Sequence, residues 1–217
     1  MVAGSQRPRL GALSGAPVIA LLVALLAAAC AGTGYNYVKN SDDRTYFKVP
    51  DDWRLFDEDE VLEAAHLSPR EEAATRDLSW QVQFDAHPRP SLKHVFSPNA
   101  RHPWGLASVE ELTFEMSDNV SMNQLRNQFL DIDAAVQEGL AEVVTYEPLE
   151  LEGGFRGFRM VADYQIQGGP AITLNQTTLL DQATSKLYTL LVACNARCYE
   201  ENEDTIDRVV ESWTVEA

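Results

Sequence analysis

The second half of the chain constrains the fold more than any other part of the sequence. It contains four segments with the composition and length of strands: Val143–Leu151, Phe155–Gln167, Ala171–Leu180 and Lys186–Cys194. The first three are separated by Gly153–Gly154 and by Gly168–Gly169–Pro170. Because Gly-Gly between strand-like segments is typical of a hairpin, we predict a four-stranded antiparallel meander.

Shorter elements flank this meander. Alternating residues predict strands over Asp43–Pro50, Trp80–Phe84 and Leu106–Glu115. Capping residues and apolar spacings of three and four predict helices that begin after Asp57 and Ser68 and a helix over Asp204–Trp213. The same spacings predict a helical stretch over residues 122–140, with a break near Asp131 as the alternative. Helices before and after the meander in the sequence imply an α+β fold, in which helices cover the faces of an antiparallel sheet.

The chain is strongly acidic. Its 217 residues carry 17 Lys and Arg against 33 Asp and Glu, which gives a net charge of −16. Residues 1–29 contain two arginines and no acid, so residues 30–217 carry −18. Binding to nucleic acid and electrostatic adsorption to anionic lipid both need a surplus of positive charge, so we expect neither.

The N-terminal 29 residues have the parts of an export signal. Arg7 and Arg9 precede an uncharged apolar stretch, and Ala27–Ala28–Ala29 leads directly into Cys30. A short basic region, an apolar core and a small-residue exit are the parts of a secretory signal. The cysteine after three small residues resembles the lipobox of bacterial lipoproteins, which implies cleavage before Cys30 and attachment of lipid to its sulfur.

Two other interpretations of this segment remain open: an uncleaved transmembrane anchor, and a secretory signal cleaved elsewhere. All three place residues 35–217 outside the cytoplasm. Under the lipoprotein interpretation, residues 1–29 are the signal peptide, 30–42 a tether and 43–217 a single domain. A lipidated Cys30 carries at least two acyl chains, enough to hold the protein stably on the outer face of the cell membrane.

The other two cysteines are close in sequence. Cys194 and Cys198 are separated by three residues, and an exported protein meets an oxidising environment, so we predict a structural disulfide between them. A redox site favours a spacing of two residues, and a zinc site needs four ligands. Both alternatives fit the sequence less well.

The segment from Ala86 to Trp104 differs from the rest of the domain. It contains four prolines and no acid, together with Arg89, Lys93, Arg101 and the aromatic residues Phe96 and Trp104. We predict that this loop is the contact surface for an anionic partner and that the core fold does not require it. The alternative is a disordered or self-packed insertion. The spacing of its three histidines, His87, His94 and His102, matches no known metal site, so we predict no metal.

Three motifs carry a family resemblance. The first is Tyr46–Phe47–Lys48–Val49–Pro50 followed by Trp53, the second is Gly154–Phe155–Arg156–Gly157–Phe158 with Tyr164, Gln176 and Tyr188 after it, and the third is Asp207–Arg208–Val209–Val210–Glu211–Ser212–Trp213. In this order they resemble the Mog1/PsbP-like fold, and specifically its actinobacterial cell-envelope lipoproteins. The resemblance implies an α/β/α sandwich with an insertion at 86–104, and it does not imply an enzyme.

Sequence motifs for catalysis give little support for an enzyme. The chain has no G-x-S-x-G, no H-E-x-x-H and no phosphate-binding Gly-Lys loop. We therefore expect a monomeric binding or accessory lipoprotein with no cofactor, whose partner is a protein or a cell-envelope ligand. The alternative function is a cell-envelope enzyme with an unrecognised carboxylate site.

Overall fold

A computed structural model describes residues 34–97 and 99–216, together with Met1. The predicted signal segment and Cys30 lie outside the described residues. Within them, no helix is long and apolar enough to cross a membrane. Tyr35–Ala217 forms one compact unit.

The unit is built on a large antiparallel sheet and a small one. The seven strands of the large sheet are, in chain order, β3 (Arg54–Phe56), β4 (Ser79–Asp85), β5 (Trp104–Glu111), β6 (Ala141–Glu150), β7 (Arg156–Gln165), β8 (Ala171–Leu180) and β9 (Lys186–Asn195). Their spatial order is β3-β4-β5-β9-β8-β7-β6. The small sheet has the order β1-β2-β10 and consists of β1 (Tyr35–Asn40), β2 (Thr45–Pro50) and β10 (Thr214–Val215).

Six α-helices complete the described part of the chain. They are α1 (Glu58–Ala65), α2 (Pro69–Leu78), α3 (Phe114–Asn119), α4 (Met122–Arg126), α5 (Ile132–Gln137) and α6 (Ala196–Glu211). Asp57 and Ser68 cap α1 and α2, and each forms a capping box with a glutamate three residues later. Both caps agree with the sequence prediction.

The core lies on both faces of the large sheet. On one face, Leu190 and Val192 of β9 pack in a cluster with Phe47 of β2 and with Ile206 and Val209 of α6. On the other face, Leu187 and Leu191 belong to a cluster that includes Leu125 of α4, Ile132 of α5 and Phe158 of β7. Because side chains alternate along a strand, β9 contributes to both clusters. The predicted α+β fold with helices on an antiparallel sheet is confirmed.

Several element boundaries differ from the sequence prediction. Residues 35–40 do not belong to a tether, because β1 pairs with β2 over its whole length, from Tyr35 opposite Pro50 to Asn40 opposite Thr45. The folded unit therefore begins at Tyr35 and not at residue 43. The helical stretch over residues 122–140 is broken near Asp131, as the sequence alternative has it. It forms two short helices, because the Asp131 side chain caps the second by accepting a hydrogen bond from the Ala134 amide.

The strand expected to continue to Glu115 ends at Glu111. Thr113 then caps α3, its side chain accepting a hydrogen bond from the Met116 amide at 3.3 Å. Phe114, predicted as a strand residue, is the first residue of α3 and is 83% exposed. The closing helix begins at Ala196, earlier than predicted, because Asn195 caps it.

A buried polar pair crosses the centre of the large sheet. Thr178 of β8 and Thr189 of β9 are register partners, and both are fully buried. The Thr178 Oγ1 accepts a hydrogen bond from Gln176 Nε2 at 3.0 Å. The Thr189 Oγ1 has no hydrogen-bond partner among the described residues. Removing the Thr178 hydroxyl and removing the Thr189 hydroxyl should therefore change the free energy of unfolding in opposite directions.

We expect Thr189→Val to raise the free energy of unfolding by about 1 kcal/mol, because valine keeps the shape and removes an unpaired buried hydroxyl. The matched change Thr178→Val should lower it by about 1–2 kcal/mol, because it leaves the Gln176 amide with one acceptor fewer. Urea denaturation of both variants checks the pair. Equal destabilisation by the two changes would contradict the assignment of Thr189 as unpaired.

Candidate functional site

One buried carboxylate organises the first half of the loop at 86–103. Asp85, the last residue of β4, is 1% exposed. Its Oδ1 accepts a hydrogen bond from the His87 amide at 2.9 Å, and its Oδ2 accepts one from the Ser91 amide at 2.9 Å. The Nδ1 of His94 lies 2.7 Å from the same Oδ2. The segment from residue 87 to residue 94 is thus wrapped around Asp85, and it ends in a 3-10 turn, Leu92–His94.

The three histidines of the loop lie together. The ring centroid of His87 is 4.4 Å from that of His94 and 4.8 Å from that of His102. The Nδ1 of His87 also accepts a hydrogen bond from the Arg89 amide at 2.9 Å. Within residues 34–97 and 99–216, no group of three His, Cys, Asp or Glu side chains is arranged to hold a metal ion. The His87 ring thus packs against the other two rings.

The second half of the loop is attached to the sheet. Val95 is buried in the same cluster as Leu191 and Phe158. The carbonyl of Ala100 accepts a hydrogen bond from the Asn195 amide at 2.8 Å, and the Pro103 carbonyl accepts one from the Ala86 amide at 2.8 Å. The loop is therefore packed on the core, whereas the sequence led us to expect a loop that the core fold does not require. The proline content of the segment predicts only an irregular loop and gives no sign that Val95 covers part of the sheet.

The three predicted cations of the loop are free to bind. Arg89, Lys93 and Arg101 are all exposed. In the described part of the chain, no acidic side chain forms an ion pair with any of them. Three unpaired positive side chains on one short loop form a local positive field in a strongly acidic domain.

The two predicted aromatic anchors have different environments. Phe96 is 53% exposed and has a φ of 61°, a conformation that costs a bulky residue about 1–3 kcal/mol. Trp104 is 5% exposed and belongs to β5. It is therefore not accessible to a partner, contrary to the prediction that it is an anchor. The Phe96 ring centroid lies 5.0 Å from that of Trp104 and 6.2 Å from that of Phe129, which is in the α4–α5 connection. Phe96 therefore packs against Trp104 and Phe129 and keeps about half of its surface in solvent.

A groove lies beside the loop. It has a volume of about 850 Å³, and its lining includes Lys93 and Pro90 of the loop, Gln83 of β4 and Glu63 of α1. Sequence reasoning did not find this groove, because its two walls are far apart in the chain. The groove is open to solvent, and its walls carry both basic and acidic side chains.

The predicted disulfide is confirmed. Cys194 and Cys198 are bonded, and their Cα atoms are 5.9 Å apart. The bond joins the end of β9 to the first turn of α6, where the Asn195 side chain also accepts a hydrogen bond from the Cys198 amide at 2.9 Å. Both cysteines are buried, which fits a structural role.

Comparisons with known proteins give structural matches only. No protein-family model and no curated protein matches the chain. Similar solved structures include cyanobacterial PsbP from Synechocystis sp. PCC 6803, with a TM-score of 0.48 and 15% identity over 86% of this chain and 97% of that chain. They also include LpqN of Mycobacterium tuberculosis, whose structure is described as involved in cell envelope biogenesis (TM-score 0.46, 18% identity, 86% and 88% covered).

The Ran-binding protein Mog1p of Saccharomyces cerevisiae matches with a TM-score of 0.44 and 9% identity, covering 83% of this chain and 95% of that chain. The fold expected from the sequence resemblance is thus represented among the similar structures.

We expect Asp85→Ala to lower the free energy of unfolding by about 2 kcal/mol, because it removes the shared acceptor of two amides and an imidazole. The control is Asp52→Ala, which removes an exposed acid in the turn after β2 and should change stability by less than about 0.5 kcal/mol. Thermal and urea denaturation measure both. If the two variants are equally stable, Asp85 does not hold the loop.

Proposed function

We propose that this protein is a lipid-anchored lipoprotein on the outer face of the cell membrane and that it acts as a binding or accessory module. Its contact surface is the loop at 86–103, and its partner is an anionic protein or envelope ligand. One observation carries the proposal: three exposed, unpaired cations lie on a loop that the fold holds in place. The proposal includes no catalytic activity.

The charge distribution supports an anionic partner. Residues 30–217 carry −18, so most of the surface repels an anion. A positive loop on such a surface attracts an anionic group to one place and so orients the partner. Arg89 and Arg101 can each form two parallel hydrogen bonds to a carboxylate or phosphate, and Lys93 adds a point charge.

The rigidity of the loop supports binding as well. Binding by a flexible loop costs conformational entropy, and a loop fixed before binding avoids part of that cost. Asp85 holds the first half of this loop, and the burial of Val95 holds the second half. Phe96 is half exposed on this support and supplies the kind of aromatic contact that contributes most to interface affinity.

Membrane attachment rests on the sequence alone. The signal-like segment ends in three alanines before Cys30, and the resemblance to actinobacterial lipoproteins points the same way. Ala31–Gly34 then remains as the spacer to β1. Attachment at the membrane would keep the domain near partners in the cell envelope.

Intact-mass measurement tests the anchor. We expect the membrane-extracted protein to have the mass of residues 30–217 plus a diacylglyceryl group, because cleavage precedes lipidated Cys30. The Cys30→Ser variant should lack the lipid adduct. A wild-type mass equal to residues 1–217 without lipid would favour the uncleaved anchor and contradict the lipoprotein proposal.

Charge removal tests the contact surface. Replacing Arg89, Lys93 and Arg101 together by alanine should weaken affinity for the partner roughly tenfold, since each exposed ion pair contributes about 0.2–1 kcal/mol. Partners are identified by cross-linking the full-length protein in membranes, followed by mass spectrometry and affinity measurement. The control replaces three other exposed arginines, Arg70, Arg197 and Arg208, and makes the same change in net charge.

The two triple variants separate a local effect from a general one. A partner that cross-links to the wild type and to the control variant, and not to the loop variant, supports the proposal. Equal loss in both variants would mean that overall charge and not the loop determines binding. Equal retention in both would place the binding surface elsewhere.

A further inference from the structure

A second concave site lies away from the loop at 86–103. It is a groove of about 780 Å³ between the ends of β5 and β9 and the helices α3 and α4. This volume is within the ~300–1,000 Å³ range of small-molecule sites. Its apolar lining consists of Leu112, Met116, Val120, Leu125 and Leu187. Such a lining suits a hydrocarbon group.

Two carboxylates, Glu110 and Glu115, and the side-chain amides of Asn119, Gln124 and Gln128 complete the lining. Of the two carboxylates, Glu115 is exposed and Glu110 is not. Glu110 of β5 is partly buried, between its register partners Ser79 on β4 and Leu187 on β9. Among the described residues, no group donates a hydrogen bond to its carboxylate or forms an ion pair with it. The next residue provides a contrast, because the carboxylate of Glu111 lies 3.7 Å from the Lys186 ammonium.

The unpaired state of Glu110 costs stability. Burial raises the pKa of its carboxyl above the ordinary glutamate value, and no neighbouring charge or donor offsets this effect. A glutamine would fill the same space without a charge. A partly buried carboxylate retained in a groove without a partner is a candidate ligand-binding group, because a bound cation would supply the missing charge.

We propose that this groove binds a small amphiphilic cation, with its ammonium group against Glu110 and its hydrocarbon part along Met116, Val120 and Leu187. The charge of Glu110 selects a cation, and the apolar wall selects an alkyl body. The net charge of −18 on residues 30–217 adds a favourable long-range field for a cation. This site and its ligand are independent of the loop at 86–103, so either proposal can fail alone.

The binding experiment uses the full-length protein in phosphatidylcholine nanodiscs. Isothermal titration calorimetry measures octyltrimethylammonium as the probe, with empty nanodiscs as the blank. Octyl glucoside and octyl sulfate have the same chain with a neutral and an anionic head. We expect the cation to bind at least about tenfold more tightly than either control, because only the quaternary ammonium has a Coulomb attraction to the Glu110 carboxylate.

Two variants locate the site, and a third is the charge control. Glu110→Gln should weaken binding of octyltrimethylammonium about tenfold, because it removes the charge that meets the ammonium. Glu142→Gln makes the same charge change on exposed β6 and should leave the affinity unchanged. Met116→Ala should weaken binding about threefold by removing apolar contact, and since Met116 is 48% exposed the fold should be unaffected.

A stability measurement gives a readout that does not need the ligand. The folded-state pKa of Glu110 is raised, so its charged form opposes folding at neutral pH. Glu110→Gln should therefore raise the thermal midpoint at pH 7. The difference should disappear when the pH falls below the ordinary glutamate pKa, where the carboxyl is protonated in both states. Glu115, the other carboxylate lining the groove, is exposed.

Three outcomes would overturn the proposal. The first is equal affinity for the cationic and neutral octyl probes. The second is an equal effect of Glu110→Gln and Glu142→Gln on binding. The third is Glu110-dependent binding of the peptide Gly-Lys-Gly without binding of octyltrimethylammonium, which would make the groove a contact site for a basic protein segment.

Discussion

Strand β9 runs through the centre of the large sheet with apolar side chains on both faces, so neither face of the sheet can remain in water. Leu190 and Val192 need cover on one side, and Leu187 and Leu191 need it on the other. Helix α6 and β2 of the small sheet contribute to the cover of the first face. On the second face, α4 and α5 share the cover with Val95 of the loop at 86–103. The loop is thus held in place by the same requirement that shapes the core.

This requirement explains how a proline-rich loop can present a fixed surface. Apart from one 3-10 turn, the described residues of the loop have no regular backbone pairing, so side chains and single backbone bonds must fix it. The buried carboxylate of Asp85 and the bond from Asn195 to Ala100 do so. With the backbone fixed from within, Arg89, Lys93 and Arg101 remain in solvent. The positive charge of the loop is therefore available to a partner.

The sequence predicts local structure well and long-range structure poorly. Strand β8 has the predicted bounds, Ala171–Leu180, because its alternation and flanking turns are local signals. The sequence does not predict strand β1, because half of its residues are polar and Tyr35–Asn40 pairs with β2 through contacts that no local pattern shows. The sequence also does not predict the burial of Trp104, because the pattern of an aromatic residue beside a proline-rich segment does not depend on whether that residue is exposed or buried. The unpaired state of Glu110 depends on tertiary packing, which no local pattern contains.

Amide hydrogen exchange of the loop tests the central claim most directly. If the loop is an ordered part of the core, the amides of His87 and Ser91, which donate to Asp85, should exchange about as slowly as amides of the neighbouring strands β4 and β5. The Asn195 amide, which donates to the Ala100 carbonyl, should be protected to the same degree. Exchange of the His87 and Ser91 amides at the rate of an unstructured peptide, with β4 and β5 still protected, would contradict the account.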